Sequence, residues 1–173
     1  MAARDKPEPA AAVSRMQAER RSDREFVFSR TVNGPARLVF EAWTKPELFQ
    51  RWWTPKSLGM SFLSCEMDVR TGGSYRFVFR HPAFEQSMAF FGRYIEVTPH
   101  SRIVWTNEER ADGAVSTVTF QEHDGRTRVV LCDLYPSKTA LDAAIASGSA
   151  GGMSDETFDQ LDELLTAPKA KKA

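Results

Sequence analysis

Short turns between consecutive strand-like segments constrain the fold of this chain more than any other sequence feature. Four turn-forming sequences separate runs that are rich in Phe, Val, Ile and Tyr: Gly72-Gly73, Thr98-Pro99-His100, Asp112-Gly113 and Asp124-Gly125. Parallel strands need a crossover of about a dozen residues or more, whereas turns of this kind join antiparallel hairpins. The sequence therefore predicts an antiparallel meander, with strands near 24–32, 62–69, 74–81, 87–97, 101–108, 114–123 and 126–134.

Two short helices are predicted between the first and second strands. Pro35 suits a first helical position and predicts a helix that ends near Thr44. Thr44 followed by Glu47 matches a capping box, which predicts a second helix that carries Trp52 and Trp53. Successive helical positions point about 100° apart, so only one of these two Trp side chains can face the interior squarely.

After the last predicted strand the hydrophobic pattern becomes helical. It predicts a short helix over 138–147 and, beyond a glycine-rich break, an amphipathic helix over 153–166 with Ser154 as its N-cap. The apolar stripe of the final helix consists of Phe158, Leu161, Leu164 and Leu165. We expect this stripe to pack against the sheet.

The two chain ends differ in composition from the region between them. Residues 1–22 are rich in Ala, Arg, Glu and Pro and contain no aromatic residue, and residues 168–173 form a short basic stretch. Such compositions bury too little apolar surface to offset the entropy of ordering. We therefore predict disordered tails at 1–22 and 168–173 and a single domain over 23–167.

Charge and composition exclude several classes of function. The 173 residues contain 23 Lys and Arg and 23 Asp and Glu, so no net field attracts the chain to nucleic acid or anionic lipid. No apolar run approaches the roughly 20 residues that span a bilayer, and the first residues lack the apolar segment of a secretory signal. We therefore expect a cytoplasmic protein that neither binds nucleic acid nor inserts into a membrane.

Cysteine and histidine spacing does not indicate a metal or a cofactor. Cys65 and Cys132 lie in apolar strand-like runs, which favours two buried thiols without a disulfide. His81, His100 and His123 share no spacing typical of zinc ligands. No metal site and no cofactor are therefore predicted.

Aromatic residues concentrate in the predicted sheet and in the helices near its start. Seventeen of the nineteen Phe, Trp and Tyr residues lie between Phe26 and Phe120. They either fill a solid core or line an internal cavity, and the pattern leaves both alternatives open. If a cavity is present, we predict that it is lined by Trp52, Trp53, Phe77, Phe79, Phe90, Tyr94, Trp105, Phe120, Phe158 and Leu161.

Alternation along the strand adds one polar residue, Glu96, to the predicted cavity wall. It alternates onto the strand face of Gly92 and Tyr94, so an inward-facing Tyr94 would make Glu96 a buried polar anchor for a ligand. Alternatively, Glu96 lies near the strand end and pairs with a surface residue such as Arg102. The sequence does not decide between these alternatives.

Four sequence motifs resemble a known superfamily. They are PELFQRWWTP at 46–55, MDVRTGGSYRFVFR at 67–80, GRYIEVTPHSRIVWT at 92–106 and GGMSDETFDQLDELL at 151–165. In this order they resemble the SRPBCC or START-like superfamily, and within it the branch named for the C-terminal domain of the heat shock protein 90 ATPase activator. The resemblance covers about residues 24–166. It implies an α+β helix-grip fold, also called birch-pollen-allergen-like, in which a seven-stranded antiparallel sheet wraps around a long C-terminal helix and encloses a hydrophobic cavity.

The resemblance implies several classes of function, because this superfamily includes lipid carriers, hormone receptors, aromatic cyclases and co-chaperone domains. We predict that a small hydrophobic ligand, either a lipid, a polyketide-like or an aromatic compound, binds in the cavity. The alternatives are a cyclase- or hydrolase-like enzyme in the same cavity and a chaperone-associated interaction domain. The activator protein has a separate N-terminal domain that a short tail cannot replace, which argues against a chaperone partner. An exposed edge strand would allow a homodimer.

No catalytic motif supports the enzyme alternative. The sequence has no Ser-His-Asp order and no Gly-x-Ser-x-Gly elbow, so nucleophilic catalysis of those kinds is not indicated. General acid–base catalysis needs only one or two placed groups, and the candidates for it are Glu66, His81, Glu85, Glu96 and Glu108. The pattern ranks none of them above the others, so no catalytic residue is predicted.

Overall fold

Eight strands form the sheet of this protein in the computed structural model, which describes residues 15–148, 150 and 153–167. The strands are β1 Gln17–Arg20, β2 Glu25–Val32, β3 Ser61–Met67, β4 Ser74–Arg80, β5 Met88–Thr98, β6 Arg102–Thr106, β7 Val115–His123 and β8 Arg126–Leu134. Their spatial order is β1-β2-β8-β7-β6-β5-β4-β3, and all neighbours are antiparallel. Strands β3 to β8 are therefore consecutive neighbours, which confirms the predicted meander.

Strand β1 is a correction to the sequence analysis, which predicts seven strands and a disordered tail over 1–22. It pairs with β2 in the structure, and all four of its residues are exposed. Main-chain hydrogen bonds hold such a strand, so it carries no hydrophobic pattern that sequence analysis can detect. The Met16 N–H donates to Asp155 Oδ1 at 2.7 Å, next to this edge of the sheet. Residues 1–14 and 168–173, the rest of the predicted tails, lie outside the described residues.

The described residues form four α-helices beside the sheet: α1 Ala36–Thr44, α2 Pro46–Phe49, α3 Lys138–Ala146 and α4 Asp155–Thr166. Ser154 Oγ accepts a hydrogen bond from the Thr157 N–H at 3.3 Å, which confirms the predicted N-cap of α4. The predicted capping box at Thr44 is wrong. Thr44 is the last residue of α1, and its hydroxyl donates to the Phe40 carbonyl at 2.9 Å. The residue at the N-cap of α2 is Lys45, and no side chain of the described residues caps this helix.

Helix α4 is anchored on β2 by a buried guanidinium. The Arg30 side chain is 1% exposed, and its Nη2 lies 2.6 Å from Asp159 Oδ1 and 3.1 Å from Asp162 Oδ2. Arg30 Nη1 donates to the Asp155 carbonyl at 2.9 Å, and the guanidinium carbon lies 5.7 Å from the centre of the Phe158 ring. Charge and packing together therefore hold α4 at the β2 side of the sheet.

Gly92 lies where β5 and β6 approach too closely for a side chain. A Cβ at this position would be 2.1 Å from the Thr106 carbonyl oxygen. We expect Gly92→Ala to lower the free energy of unfolding, measured in urea, by about 2–4 kcal/mol, because main-chain atoms must move. Gly34→Ala is the matched control, since its Cβ would meet only Leu165, at 3.4 Å, and we expect a change below about 1 kcal/mol. Equal losses in the two variants would contradict this account.

No helix of the described chain has the length and hydropathy needed to cross a membrane. In the same part of the chain, no three His, Cys, Asp or Glu side chains are grouped in a way that could hold a metal ion. Cys65 and Cys132 are free thiols and are half-buried rather than fully buried. Burial raises the pKa of the Cys65 thiol to about 11, so this thiol is protonated and unreactive at neutral pH.

Candidate ligand-binding cavity

A cavity of about 490 Å³, partly open to solvent, lies between the sheet, the α1–α2 region and α3. Strands β4 to β8 all contribute side chains to its wall. The volume falls within the range of roughly 300–1,000 Å³ that small-molecule sites occupy. Aromatic and aliphatic side chains form most of the wall, and polar side chains meet where β6 and β8 end and β7 begins.

Tryptophan side chains form a cluster at the apolar part of the wall. Three of them surround Trp43, whose ring centre lies 5.0 Å from Trp52, 5.5 Å from Trp53 and 5.9 Å from Trp105. Phe49 stacks on Trp53 with the ring centres 4.7 Å apart. Three of the four, Trp43, Trp53 and Trp105, line the cavity, so we expect a bound ligand to change the Trp fluorescence of the protein.

Six of the eleven residues that the sequence assigns to the cavity do lie in its wall: Trp53, Phe77, Phe79, Phe90, Tyr94 and Trp105. Four others are buried in the core and do not reach the cavity: Trp52, Phe120, Phe158 and Leu161. Trp52 Nε1 donates to the Ala42 carbonyl at 2.9 Å in the interior. Of the adjacent Trp pair, Trp53 is therefore the one that faces the cavity.

Helix α3, rather than α4, closes this cavity. The family resemblance implies that the C-terminal helix encloses the hollow, but the described part of α4 adds no side chain to the wall. The reason is that α4 buries Phe158 and Leu161 in the main core, next to β2 and α1. Helix α3 contributes Ala140, Ala143 and Ala144 to the wall instead.

An irregularity in β5 turns Glu96 away from the cavity. The pairing register between β5 and β6 shifts between Tyr94 and Glu96, so strict alternation fails at this point. Val97, and not Glu96, packs against the core. The Glu96 carboxylate pairs with Arg102 Nε at 2.5 Å, and both side chains are about half exposed. The structure thus agrees with the second of the two alternatives that the sequence leaves open.

The polar end of the cavity is built on a cross-strand pair. Ser116 of β7 lies opposite Asp133 of β8, and its hydroxyl donates to Asp133 Oδ1 at 2.6 Å. Asn107 Nδ2 in turn donates to Ser116 Oγ at 3.0 Å and to the Ala114 carbonyl at 2.7 Å. Each member of this chain is fixed by the next one, so the Asp133 carboxyl group is held in a defined position.

Asp133 is a carboxyl group on a buried strand face, 8% exposed. Burial raises the pKa of Asp133 to about 6, against the opposing effect of the hydrogen bond from Ser116. Burial, with Asp133 nearby, also raises the pKa of the Tyr135 hydroxyl to about 12, so this phenol is neutral at pH 7. A cavity carboxyl group whose pKa approaches neutrality is typical of functional sites.

Two buried polar atoms of the cavity wall have no hydrogen-bond partner among the described residues: Trp43 Nε1 and Glu109 Oε2. An unpaired buried polar group costs roughly 1–3 kcal/mol, and native proteins keep few of them. Burial is the main cause that raises the pKa of the Tyr75 phenol, and the charge of Glu109 adds to it. These atoms mark positions where a ligand can supply a missing partner.

Sequence analysis missed the polar residues of the wall. Asp133 lies on the same buried face of β8 as Val129 and Leu131. An acidic residue at this apolar alternating position could have identified Asp133 as a functional candidate from the sequence. Ser116 lies in the corresponding buried phase of β7. Glu109 lies in the loop between β6 and β7, where no periodicity marks it.

None of the acid–base candidates named from the sequence lies in the cavity wall as far as the chain is described. These residues are Glu66, His81, Glu85, Glu96 and Glu108. Glu108 is the neighbour of Glu109 but lies on the surface, where it accepts hydrogen bonds from Thr106 and Arg93. The carboxyl groups that do reach the wall belong to Glu109, Asp112 and Asp133.

Comparison with known proteins gives a family match and several structural likenesses. The sequence profile of the family described as Activator of Hsp90 ATPase homolog 1-like protein matches residues 33–166. No curated protein matches the sequence significantly. A crystal structure from Rhodobacter sphaeroides is similar with a TM-score of 0.77 and 23% identity, over 88% of this chain and 98% of that chain.

Two solution structures are also similar. One, from Staphylococcus epidermidis, has a TM-score of 0.71 and 27% identity over 87% of this chain and 93% of that chain. The other is an AHSA1-like protein from Aeromonas hydrophila, with a TM-score of 0.62 and 18% identity over 83% of this chain and 99% of that chain. These likenesses agree with the helix-grip fold that the sequence motifs imply.

Proposed function

This chain belongs to the family described as Activator of Hsp90 ATPase homolog 1-like protein, and on that premise we propose that it binds a small hydrophobic ligand in its internal cavity. The ligand classes that suit the wall are lipids, polyketide-like compounds and aromatic compounds. One observation carries the proposal, namely a cavity of about 490 Å³ whose wall is largely apolar and includes ten aromatic side chains. Transfer of apolar ligand surface from water to such a wall contributes about 25 cal/mol per Å².

The unpaired polar atoms of the wall support a binding role over a purely structural one. A core that only stabilises the fold is packed to the density of an organic crystal and avoids unpaired donors and acceptors. This cavity has Trp43 Nε1 and Glu109 Oε2 without partners in the described chain. A ligand with polar groups at matching positions would remove both penalties.

A cyclase- or hydrolase-like enzyme is a second candidate, favoured by two carboxyl groups in different environments. Asp133 is held by Ser116, whereas Glu109 Oε2 is unpaired, and unequal carboxyl groups can divide acid and base roles. Chemical change of a captured compound by the wild-type protein, lost in Asp133→Asn, would favour the enzyme. Recovery of the unchanged compound would favour a carrier. The chaperone-associated alternative rests on the family description alone, and homodimer formation and a cytoplasmic location stay predictions.

Filling the cavity is expected to abolish ligand binding. Ala144 is buried on α3 and lines the wall, so Ala144→Phe would place a ring inside the hollow. We expect the affinity for fatty-acid and aromatic probes, measured by titration of Trp fluorescence, to fall at least about tenfold. Ala146→Phe on the exposed side of the same helix is the matched control, and we expect it to bind as the wild type does.

Circular dichroism of both variants verifies that the fold is retained. Equal affinities of Ala144→Phe and Ala146→Phe would contradict a binding site in this cavity. Failure of the wild-type protein to bind any member of either probe class would contradict the proposed function itself.

A further inference from the structure

Negative charge predominates among the ionisable side chains of the cavity wall. The charged residues of the wall are Glu109, Arg110, Asp112 and Asp133. Arg110 and Asp112 neutralise each other, since Arg110 Nε lies 3.1 Å from Asp112 Oδ1. Two carboxylates therefore remain in the wall without a cation from the described chain.

Three donor side chains at the polar end of the wall are already engaged within the protein, namely those of Ser116, Asn107 and Tyr75. The single hydroxyl hydrogen of Ser116 is used on Asp133. Both amide hydrogens of Asn107 are used, one on Ser116 and one on the Ala114 carbonyl. The Tyr75 hydroxyl donates at 2.7 Å to the carbonyl of Thr106.

Glu109 accepts no hydrogen bond from any of these three side chains. Its Oε2 atom is buried and has no partner within the described residues. A buried carboxylate oxygen without a donor is unfavourable unless a cation or a donor comes from elsewhere. A cation or donor of this kind can reach Glu109 from the cavity, because Glu109 lines its wall.

We propose that the ligand of this cavity carries a cationic hydrogen-bond donor, a protonated amine, which binds Glu109 Oε2 in the field of the second wall carboxylate, Asp133, while its apolar body lies against the aromatic side chains of the wall. This inference rests on the proposed function and specifies its ligand class. A protonated amine supplies up to three N–H donors and a positive charge, and hydrogen bonds between charged groups are about twice as strong as neutral ones. A carboxylate ligand would be repelled by the same two groups.

Three probes with the same carbon skeleton test the inference: phenylbutylamine, phenylbutanol and phenylbutanoate. We expect isothermal titration of the full chain at neutral pH and low salt to show that the amine binds at least about tenfold more tightly than the alcohol. The carboxylate is expected to bind most weakly. Equal affinities of the amine and the alcohol would overturn this inference and leave the proposed function standing. No binding of any of the three probes would also overturn this inference, and the proposed function would fall with it if the fatty-acid and aromatic probes named above fail to bind as well.

Glu109→Gln keeps the shape of the side chain and removes its charge. We expect it to weaken amine binding about tenfold to hundredfold and to change the affinity for the alcohol by less than about threefold. Glu108→Gln is the matched control, because it removes the same charge from the neighbouring surface residue. Equal losses of amine affinity in the two variants would show that only the general field of the protein acts on the amine, and would overturn the assignment to Glu109.

Discussion

Arg30→Ala is expected to lower the free energy of unfolding by about 2–4 kcal/mol, measured in urea at neutral pH. The Arg30 side chain is almost fully buried on β2, and its Nη2 lies within 3.1 Å of both Asp159 and Asp162. Without Arg30, the face of α4 that meets β2 keeps three carboxylates and no cation from β2: Asp155, Asp159 and Asp162. Like charges on neighbouring turns destabilise a helix. The side chain also covers Phe158, so its removal leaves a void.

Arg30→Met separates these two contributions. Methionine keeps an unbranched apolar stem over Phe158 and removes Arg30 Nε, which is buried without a partner in the described chain. We therefore expect this variant to lose about half as much stability as Arg30→Ala. Arg128→Ala, an exposed residue on β8, is the control and is expected to change stability by less than about 0.5 kcal/mol. If Arg30→Met is as stable as the wild type, the ion pairs contribute nothing net to the anchoring of α4.

The parts of the fold that the sequence predicted are those set by local rules. Alternation of apolar residues and the hairpin turns predicted strands β3 to β8, and the cap at Ser154 predicted the start of α4. Strand β1 escaped prediction because its exposed residues show no alternation and its stability comes from main-chain pairing with β2. The predicted capping box at Thr44 was wrong because its sequence pattern does not reveal whether the preceding helix, α1, has already ended.

The site was predicted less completely because periodicity identifies a buried face but not what covers it. Phe77 and Phe158 both lie on apolar faces, yet Phe77 meets the cavity and Phe158 meets the core. The orientation of Glu96 could not be predicted from alternation alone, because it depends on the register shift in β5. That shift is set by the pairing of β5 with β6. Asp133 is the residue that sequence analysis could have detected. An acidic residue at an alternating position of β8 that is otherwise apolar and buried does not fit the pattern of its neighbours. Conflicts of this kind between local pattern and chemistry are where functional residues are expected.

Asp133→Asn is expected to raise the free energy of unfolding at pH 8 by about 1–3 kcal/mol. Burial raises the pKa of Asp133 from an ordinary value of 3.8 to about 6, so the ionised form is less stable in the folded protein than in the unfolded chain. A difference of about two between these pKa values corresponds to about 3 kcal/mol. An asparagine Oδ1 can still accept the bond from Ser116, but its amide group needs a new acceptor, which reduces the gain.

The sign of the pH dependence follows from the proton balance. Below about pH 4, Asp133 is protonated in both states and its burial carries no ionisation penalty. Between about pH 4 and 6 the folded protein keeps a proton that the unfolded chain has lost, so stability falls as the pH rises. Above about pH 6 the penalty is fully present. The stability of Asp133→Asn relative to the wild type is therefore expected to be about 3 kcal/mol more favourable at pH 8 than near pH 4.

Urea unfolding of both proteins at pH 4 and pH 8 measures this difference, and Asp23→Asn, an exposed position, is the control for a general change in net charge. A pH-independent difference, or an equal gain in the control, would contradict the assigned penalty. If the free energy of unfolding rises only in Asp133→Asn and only at high pH, the folded wild-type protein holds an unfavourable carboxylate in its interior. Removal of the Asp133 charge would then improve stability, which is the result expected of a residue that serves the proposed ligand site rather than the fold.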